Sequence, residues 1–296
     1  MATVIRANNN DFPDSYVQQV CRDPIPRAIF TTVYSHVNSK SKMGLGRDAS
    51  IEELTALFQD IENSFPKGLG SDKWYLLLIA TLTYASDPDH IADLYTHLIS
   101  RPDFATSEAR QGLVRRIRET LFKLVSLIGV CKPLTAIFKI DTIEKPEDKD
   151  YSFSREGWQA DDKNLERGNG FLKKIYRHNS QFLTDKLTAH RDFDWITWNV
   201  TYGLYLSDHA ILTDVETELV VLCGILIQNL EAVTSFHLRG ARRIGMSKEQ
   251  VEQIHICCEK VARFCNVRVD KVPRVADIEH QVPWEFDLQA QTTTSS

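Results

Sequence analysis

The sequence predicts an all-α protein, and three observations carry that prediction. Apolar residues recur three and four positions apart through most long segments instead of alternating. Glycine and proline are sparse, 13 and 10 in 296 residues, so few positions interrupt a helix. Capping residues stand where the periodic segments begin. Residues 72–84 (DKWYLLLIATLTY) read as a buried helix, and Ser86-Asp87-Pro88-Asp89 supplies a cap and a first-turn proline for a second helix over 90–100, the two forming a hairpin. The longest helix is expected over 108–128, where Leu113, Ile117, Leu121, Leu124 and Leu127 make one stripe ahead of Gly129 and Pro133. Residues 171–187 resume helical spacing, and 194–206 (DWITWNVTYGLYL) form an aromatic helix. Thr213-Asp214 cap an apolar helix over 215–226, and 248–265 close the set.

Between these helices, residues 141–170 are rich in charge and turn formers and nearly free of aliphatic side chains, which places a connecting segment there. The chain therefore divides into an N-terminal helical extension (1–70), a first helical unit (71–140), the connecting segment (141–170), a second helical unit (171–275) and a polar tail (276–296) expected to fray. The two units are related. Residues 79–98 overlay 219–238 without a gap, pairing Leu82 with Leu222, His97 with His237 and Leu98 with Leu238, and the next helices correspond in order. A duplicated helical unit accounts for this pattern.

Composition excludes several function classes. Thirty-five Lys and Arg against 40 Asp and Glu give a charge of −5, which supplies no bulk attraction for phosphate backbones or anionic lipid, so no nucleic-acid partner is expected. The longest apolar run, residues 219–227 (LVVLCGILI), is about half of the ~20 residues a membrane-spanning helix needs, so no membrane span is expected. The opening residues lack the apolar core of a secretory signal, which gives an intracellular, cytoplasmic expectation. Six cysteines without a Cys-x-x-Cys pair read as small buried hydrophobes. His90 and His97, with Asp87, Asp89 and Asp93 near them, lack a further convergent ligand. His255, Cys257 and Cys258 point in different directions on a helix. No glycine-rich nucleotide loop or Gly-x-Ser-x-Gly elbow occurs, and neither a metal nor a cofactor is expected.

Particular residues carry a family resemblance. Arg118-Glu119, Leu121, Leu124, Gly129 and Lys132-Pro133 in the first half form one part. Tyr202-Gly203, Leu212-Thr213-Asp214, Glu218-Leu219, His237-Leu238-Arg239 and Gly245-Met246-Ser247-Lys248-Glu249 in the second follow in order. The chain resembles the carboxymuconolactone decarboxylase and alkylhydroperoxidase D-like superfamily over roughly residues 70–140 and 165–275. The resemblance implies an all-helical, usually oligomeric protein made of two related units of that type, and it places His237 close to Glu218. The peroxidase branch carries a cysteine pair ahead of the histidine. Here those positions are Leu230 and Val233, so the thiolate that peroxide reduction needs is missing. The decarboxylase branch keeps the histidine without the cysteines, as this chain does, but usually has tryptophan where Tyr202 precedes Gly203.

The expected site follows. His237 transfers a proton and Glu218 fixes its tautomer and raises its basicity; the plainer alternative is a hydrogen-bonded core histidine beside a surface charge. Trp195, Trp198, Tyr202 and Tyr205 share one helical stripe and form either an aromatic wall for a flat substrate or ordinary core packing. Arg239 is a candidate for holding a substrate carboxylate, although it lies about 200° around the helix from His237 and would need a bend or an oligomer contact to share its pocket. Arg242 and Arg243 offer the same chemistry, or a solvated face. His97 is the second copy or relic of His237, and Trp158 is a lid residue or a staple for the connecting segment. Function is expected to be that of a cofactor-free lyase or isomerase acting on a small or polyketide-like carbonyl or hydroxylated substrate, in a homo-oligomer. A non-catalytic ligand- or protein-binding scaffold is the first alternative, and a thiol peroxidase using Cys223 or Cys265 the second.

Overall fold

The computed structural model describes residues 49–283, and within them the chain is all-α. Residues 284–296 of the tail expected to fray, and the cysteine at position 21, lie outside the described residues, whereas residues 276–281 of that tail are helical and Ile278 is buried. In order come α1 (Ile51–Ser64), α2 (Trp74–Ala85), α3 (His90–Ile99), α4 (Ser107–Ile128), α5 (Cys131–Ile143), α6 (Asp162–Tyr176), α7 (Ser180–Leu187), α8 (Arg191–Trp195), a π-helix (Ile196–Leu206), α9 (Asp214–Leu226), α10 (Glu231–Arg243), α11 (Lys248–Phe264) and the short α12 (Val275–Ile278). No described helix is long and apolar enough to cross a membrane.

Local chemistry explains most of the boundaries. Thr213 and Glu216 form a reciprocal capping box that starts α9, with Thr213 N–H donating to Glu216 Oε2 at 2.8 Å. Ser247 and Gln250 do the same for α11, and Ser50 and Glu53 for α1. Helices α2 and α9 are buried on almost every side. They pack against each other, and each also packs on the long helix of the other half: α2 on α11, and α9 on α4. The main core is therefore built by both halves, from Leu54 through Ile79, Leu121 and Leu222 to Val261 and Ile278. A second, smaller core holds Phe171, Leu172, Ile175, Tyr176, Tyr202, Leu206, Val221 and Ile225, and borders the site described below.

His255 sits inside the main core's packing on α11. Burial, helped by Arg274, pushes its imidazole down to about 4, and its Nδ1 is buried without a partner among the described residues. A histidine whose folded value lies below the ordinary 6.5 contributes stability above that value and loses it as pH falls toward the folded value, because the unfolded chain takes up the proton first. Wild type is therefore expected to lose ~2–3 kcal/mol more than a His255→Leu variant between pH 7 and pH 4.5. Denaturant unfolding at the two pH values measures this, and equal losses would contradict it.

The connecting segment is strapped onto α4. Arg110 Nε donates to Asp148 Oδ2 at 2.7 Å, Arg115 Nε to Asp150 Oδ2 at 2.5 Å, and Arg118 Nη1 to the Asp150 carbonyl at 2.7 Å. Trp158 meets two cations, with the Arg167 guanidinium 3.6 Å and the Arg155 guanidinium 5.7 Å from its ring centroid. Of its two sequence readings, the staple describes this geometry.

Candidate active site

His237 lies on α10 and Glu218 on the neighbouring α9. His237 Nδ1 stands 2.9 Å from Glu218 Oε1, with the histidine 3% and the glutamate 0% exposed. The approach depends on Gly240, one turn after His237. A Cβ there would come within 2.5 Å of Ile175 Cγ2 and 2.7 Å of Glu218 Oε1, so only glycine lets α10 close on α6 and on the carboxylate. Burial raises the Glu218 carboxyl, and the neighbouring imidazole draws it back down. Its second oxygen, Oε2, is buried with no partner among the described residues.

Two tyrosines complete this corner. The Tyr176 ring meets His237 edge-on at 6.0 Å and Tyr202 edge-on at 6.2 Å. Burial pushes Tyr176 up to about 12 and Tyr202 well above its ordinary value, so both are neutral hydrogen-bond donors at working pH. Tyr176 ends α6, just before Arg177 turns the chain at φ 48°. Nothing in its local sequence marked it as a site residue. Its role arises from packing between helices far apart in the chain.

The aromatic stripe divides. From Ile196 onward the helix closes i→i+5 bonds, as in Ser207 N–H to the Tyr202 carbonyl at 3.0 Å, and this wider turn removes the α-helical register that aligned the four rings. Tyr202 is buried toward Tyr176, whereas Tyr205 stacks on Phe122 of α4 at 4.8 Å. Trp198 packs at the edge of the second core and donates its indole N–H to Asp194. Trp195 is 54% exposed and stands outside the corner. The π-helix docks on α6 where Gly168 meets the Gly203 backbone. A Cβ on Gly203 would fall 2.3 Å from Asn164 Nδ2, and that amide itself donates to the Asn199 carbonyl.

The Arg239 guanidinium lies 5.0 Å over the ring of Phe236, which is itself 5.8 Å from the Tyr176 ring. His97 is elsewhere: it packs edge-on to Phe58 at 5.4 Å and Trp74 at 6.3 Å beside the main core, where burial pushes its imidazole down. The position before its overlay, matching Glu218, is Leu78, so the first half has no matching carboxylate. A cavity of about 210 Å³ lined by Phe122, Val125, Leu134 and Tyr205, and one of about 450 Å³ lined by Tyr75, Arg115 and Ile211, lie away from His237. Among the described residues no three His, Cys, Asp or Glu side chains group to hold a metal ion. Cys223, Cys257, Cys258 and Cys265 are buried. Burial pushes Cys257 up to about 12 and Cys265 up to about 11, the reverse of what a reactive thiolate requires.

Comparison with known proteins gives two relatives. The chain is 23% identical over 195 residues to Peroxisomal protein 2 of Schizosaccharomyces pombe, covering 66% of this chain and 87% of that protein. It is 27% identical over 110 residues to Peroxisomal protein 2 of Saccharomyces cerevisiae, covering 37% of this chain and 39% of that protein. No family model matches the chain, and no solved structure matches it.

Proposed function

We propose that the protein is a cofactor-independent lyase or isomerase of the carboxymuconolactone decarboxylase kind, acting by proton transfer on a small carbonyl or hydroxylated substrate. The observation that carries this reading is the 2.9 Å contact between His237 Nδ1 and Glu218 Oε1 in a buried setting. A carboxylate on Nδ1 holds the proton there and leaves Nε2 as the base, which accepts a proton from substrate and returns it to product. The Tyr176 and Tyr202 hydroxyls, neutral and preorganised, are placed to stabilise oxyanion character as it develops. Assembly as a homo-oligomer belongs to the same reading, supported by the exposed side chains of Phe182, Phe193, Trp195 and Ile196.

The shared name of the two yeast relatives supports an intracellular and, more finely, a peroxisomal setting for this chain. A non-catalytic scaffold is the second reading, favoured by the fact that the two cavities described lie away from His237. Turnover of a panel of β-keto acids, lactones and hydroxylated ketones by wild type and His237→Gln separates the two. Dependence on His237 supports the enzyme. A substrate turned over equally by both proteins would remove the acid/base role.

A further inference from the structure

The cavity of about 450 Å³ is built by both halves of the chain: Tyr75 of α2, Phe104, Gly112, Leu113 and Arg116 on and just before α4, and Ile211 in the loop that leads to α9. Its volume falls in the ordinary range for small-molecule sites, whereas the apolar cavity of about 210 Å³ beside Phe122 falls below it. The larger wall carries two features that the fold itself does not use. Gly112 lies inside α4, where glycine costs helix stability relative to alanine, yet a Cβ there would meet no atom within 4 Å. Packing does not demand this glycine, and the space its side chain would fill belongs to the cavity. The second feature is the Tyr75 hydroxyl. Tyr75 is 4% exposed, and burial raises its phenol above the ordinary value, so it stays protonated. Its oxygen accepts from Arg116 Nε at 2.7 Å, and its own proton finds no acceptor among the described residues. An acceptor in the cavity would satisfy that buried donor.

The charges of the wall are already matched. Arg116 Nη2 donates to Glu216 Oε1 at 2.7 Å, and Arg115 Nε to Asp150 Oδ2 at 2.5 Å. Asp72, the remaining charged group of the wall, is exposed to solvent. An anion would meet no unmatched cation there, and a cation only a carboxylate that water already serves. We propose that this cavity binds a small uncharged ligand with an apolar body and one acceptor oxygen, such as a ketone or an ester. The oxygen accepts the Tyr75 proton, and the body lies over Gly112 and Leu113, against Phe104 and Ile211. The site is separate from His237 and takes no part in proton transfer there.

The test uses the full chain with acetophenone as the probe, ethylbenzene as the apolar control without an acceptor, and benzoate as the charged control, read by ligand-observed NMR and by the unfolding midpoint. Acetophenone is expected to bind wild type and raise its midpoint, with each control at least about threefold weaker. Gly112→Leu fills the space under the ligand and should abolish binding. Its midpoint without ligand should stay at or above that of wild type, since leucine favours a helix over glycine. Tyr75→Phe should weaken acetophenone about three- to tenfold and leave ethylbenzene unchanged, a split that a general loss of folding does not produce. His237→Gln should bind acetophenone as wild type does, so failure of the acid/base reading would show in turnover and leave this site standing. No binding of acetophenone to wild type, or binding that Gly112→Leu and Tyr75→Phe leave unchanged, would overturn the proposal. Benzoate or ethylbenzene bound as tightly as acetophenone would overturn the ligand class.

Discussion

Replacing Glu119 with alanine is expected to destabilise the fold by about 3–5 kcal/mol, the cost of leaving buried charges without their partner. Glu119 accepts both guanidinium arms of Arg155, at 2.6 and 2.7 Å, and stands 3.1 Å from Lys123 Nζ. Lys123 is completely buried, and burial pushes its ammonium down to about 8 even with this carboxylate beside it. The two cations in turn hold the end of the π-helix. Lys123 donates to the carbonyls of Leu206 at 3.1 Å and Asp208 at 2.8 Å, and Arg155 to that of Leu204 at 3.0 Å. Removing Glu119 takes away the carboxylate nearest Lys123, leaves Arg155 only Asp208 Oδ2 at 3.5 Å, and loosens the helix that presents Tyr202. Denaturant unfolding of the full chain measures the loss. A change below about 1 kcal/mol would place the network among ion pairs that merely break even.

The second large effect concerns chemistry. His237→Gln is expected to lower turnover of the true substrate by about 10²–10⁴, the usual contribution of a positioned proton-transfer group. Glu218→Gln should lose less, since the amide can still occupy the space but cannot stabilise a protonated imidazole. Glutamine at 237 keeps a polar side chain of similar reach, so a folded variant isolates the loss of the titrating ring. The measurement is kcat/KM of both variants with folding checked by unfolding midpoints. An effect of less than about tenfold in His237→Gln would contradict the proton-transfer role and favour the scaffold reading.

Most helices could be read from local chemistry, because caps and apolar spacing act within a few residues. The ends of α3 and α4 and the Thr213 start of α9 fall within a residue of their sequence-based limits. Pro133, read as a terminator, lies instead in the first turn of α5, where its missing N–H costs nothing. Helix α6 begins with an Asp161 cap inside the expected connecting segment, its charged residues disguising a face in which Asn164 and Gly168 are buried. The π-helix had no local signature, and its wider turn divided a stripe that α-helical spacing would have kept whole.

The same distinction applies to the site. The His237 and Glu218 pair emerged from residue order in a family pattern, whereas Tyr176 and the Arg155–Glu119 clamp depend on contacts between elements far apart in the chain. Glu119 itself was visible only as one letter of that pattern. Arg155, 36 residues further on, lies in a segment whose composition spoke only of turns and solvent. Long-range ion pairs of this kind leave no periodicity to read.

The central claim is that Glu218 holds the proton on Nδ1 of His237 and leaves Nε2 free to act as a base. Nitrogen-15 NMR of the histidine-labelled full chain, assigned against His237→Gln, tests it directly and needs no substrate. The account expects the His237 signals of a Nδ1–H tautomer with an unprotonated Nε2, and a shift away from that tautomer in Glu218→Gln. A His237 ring protonated on Nε2 in the wild type, or one unaffected by removal of the carboxylate, would contradict it.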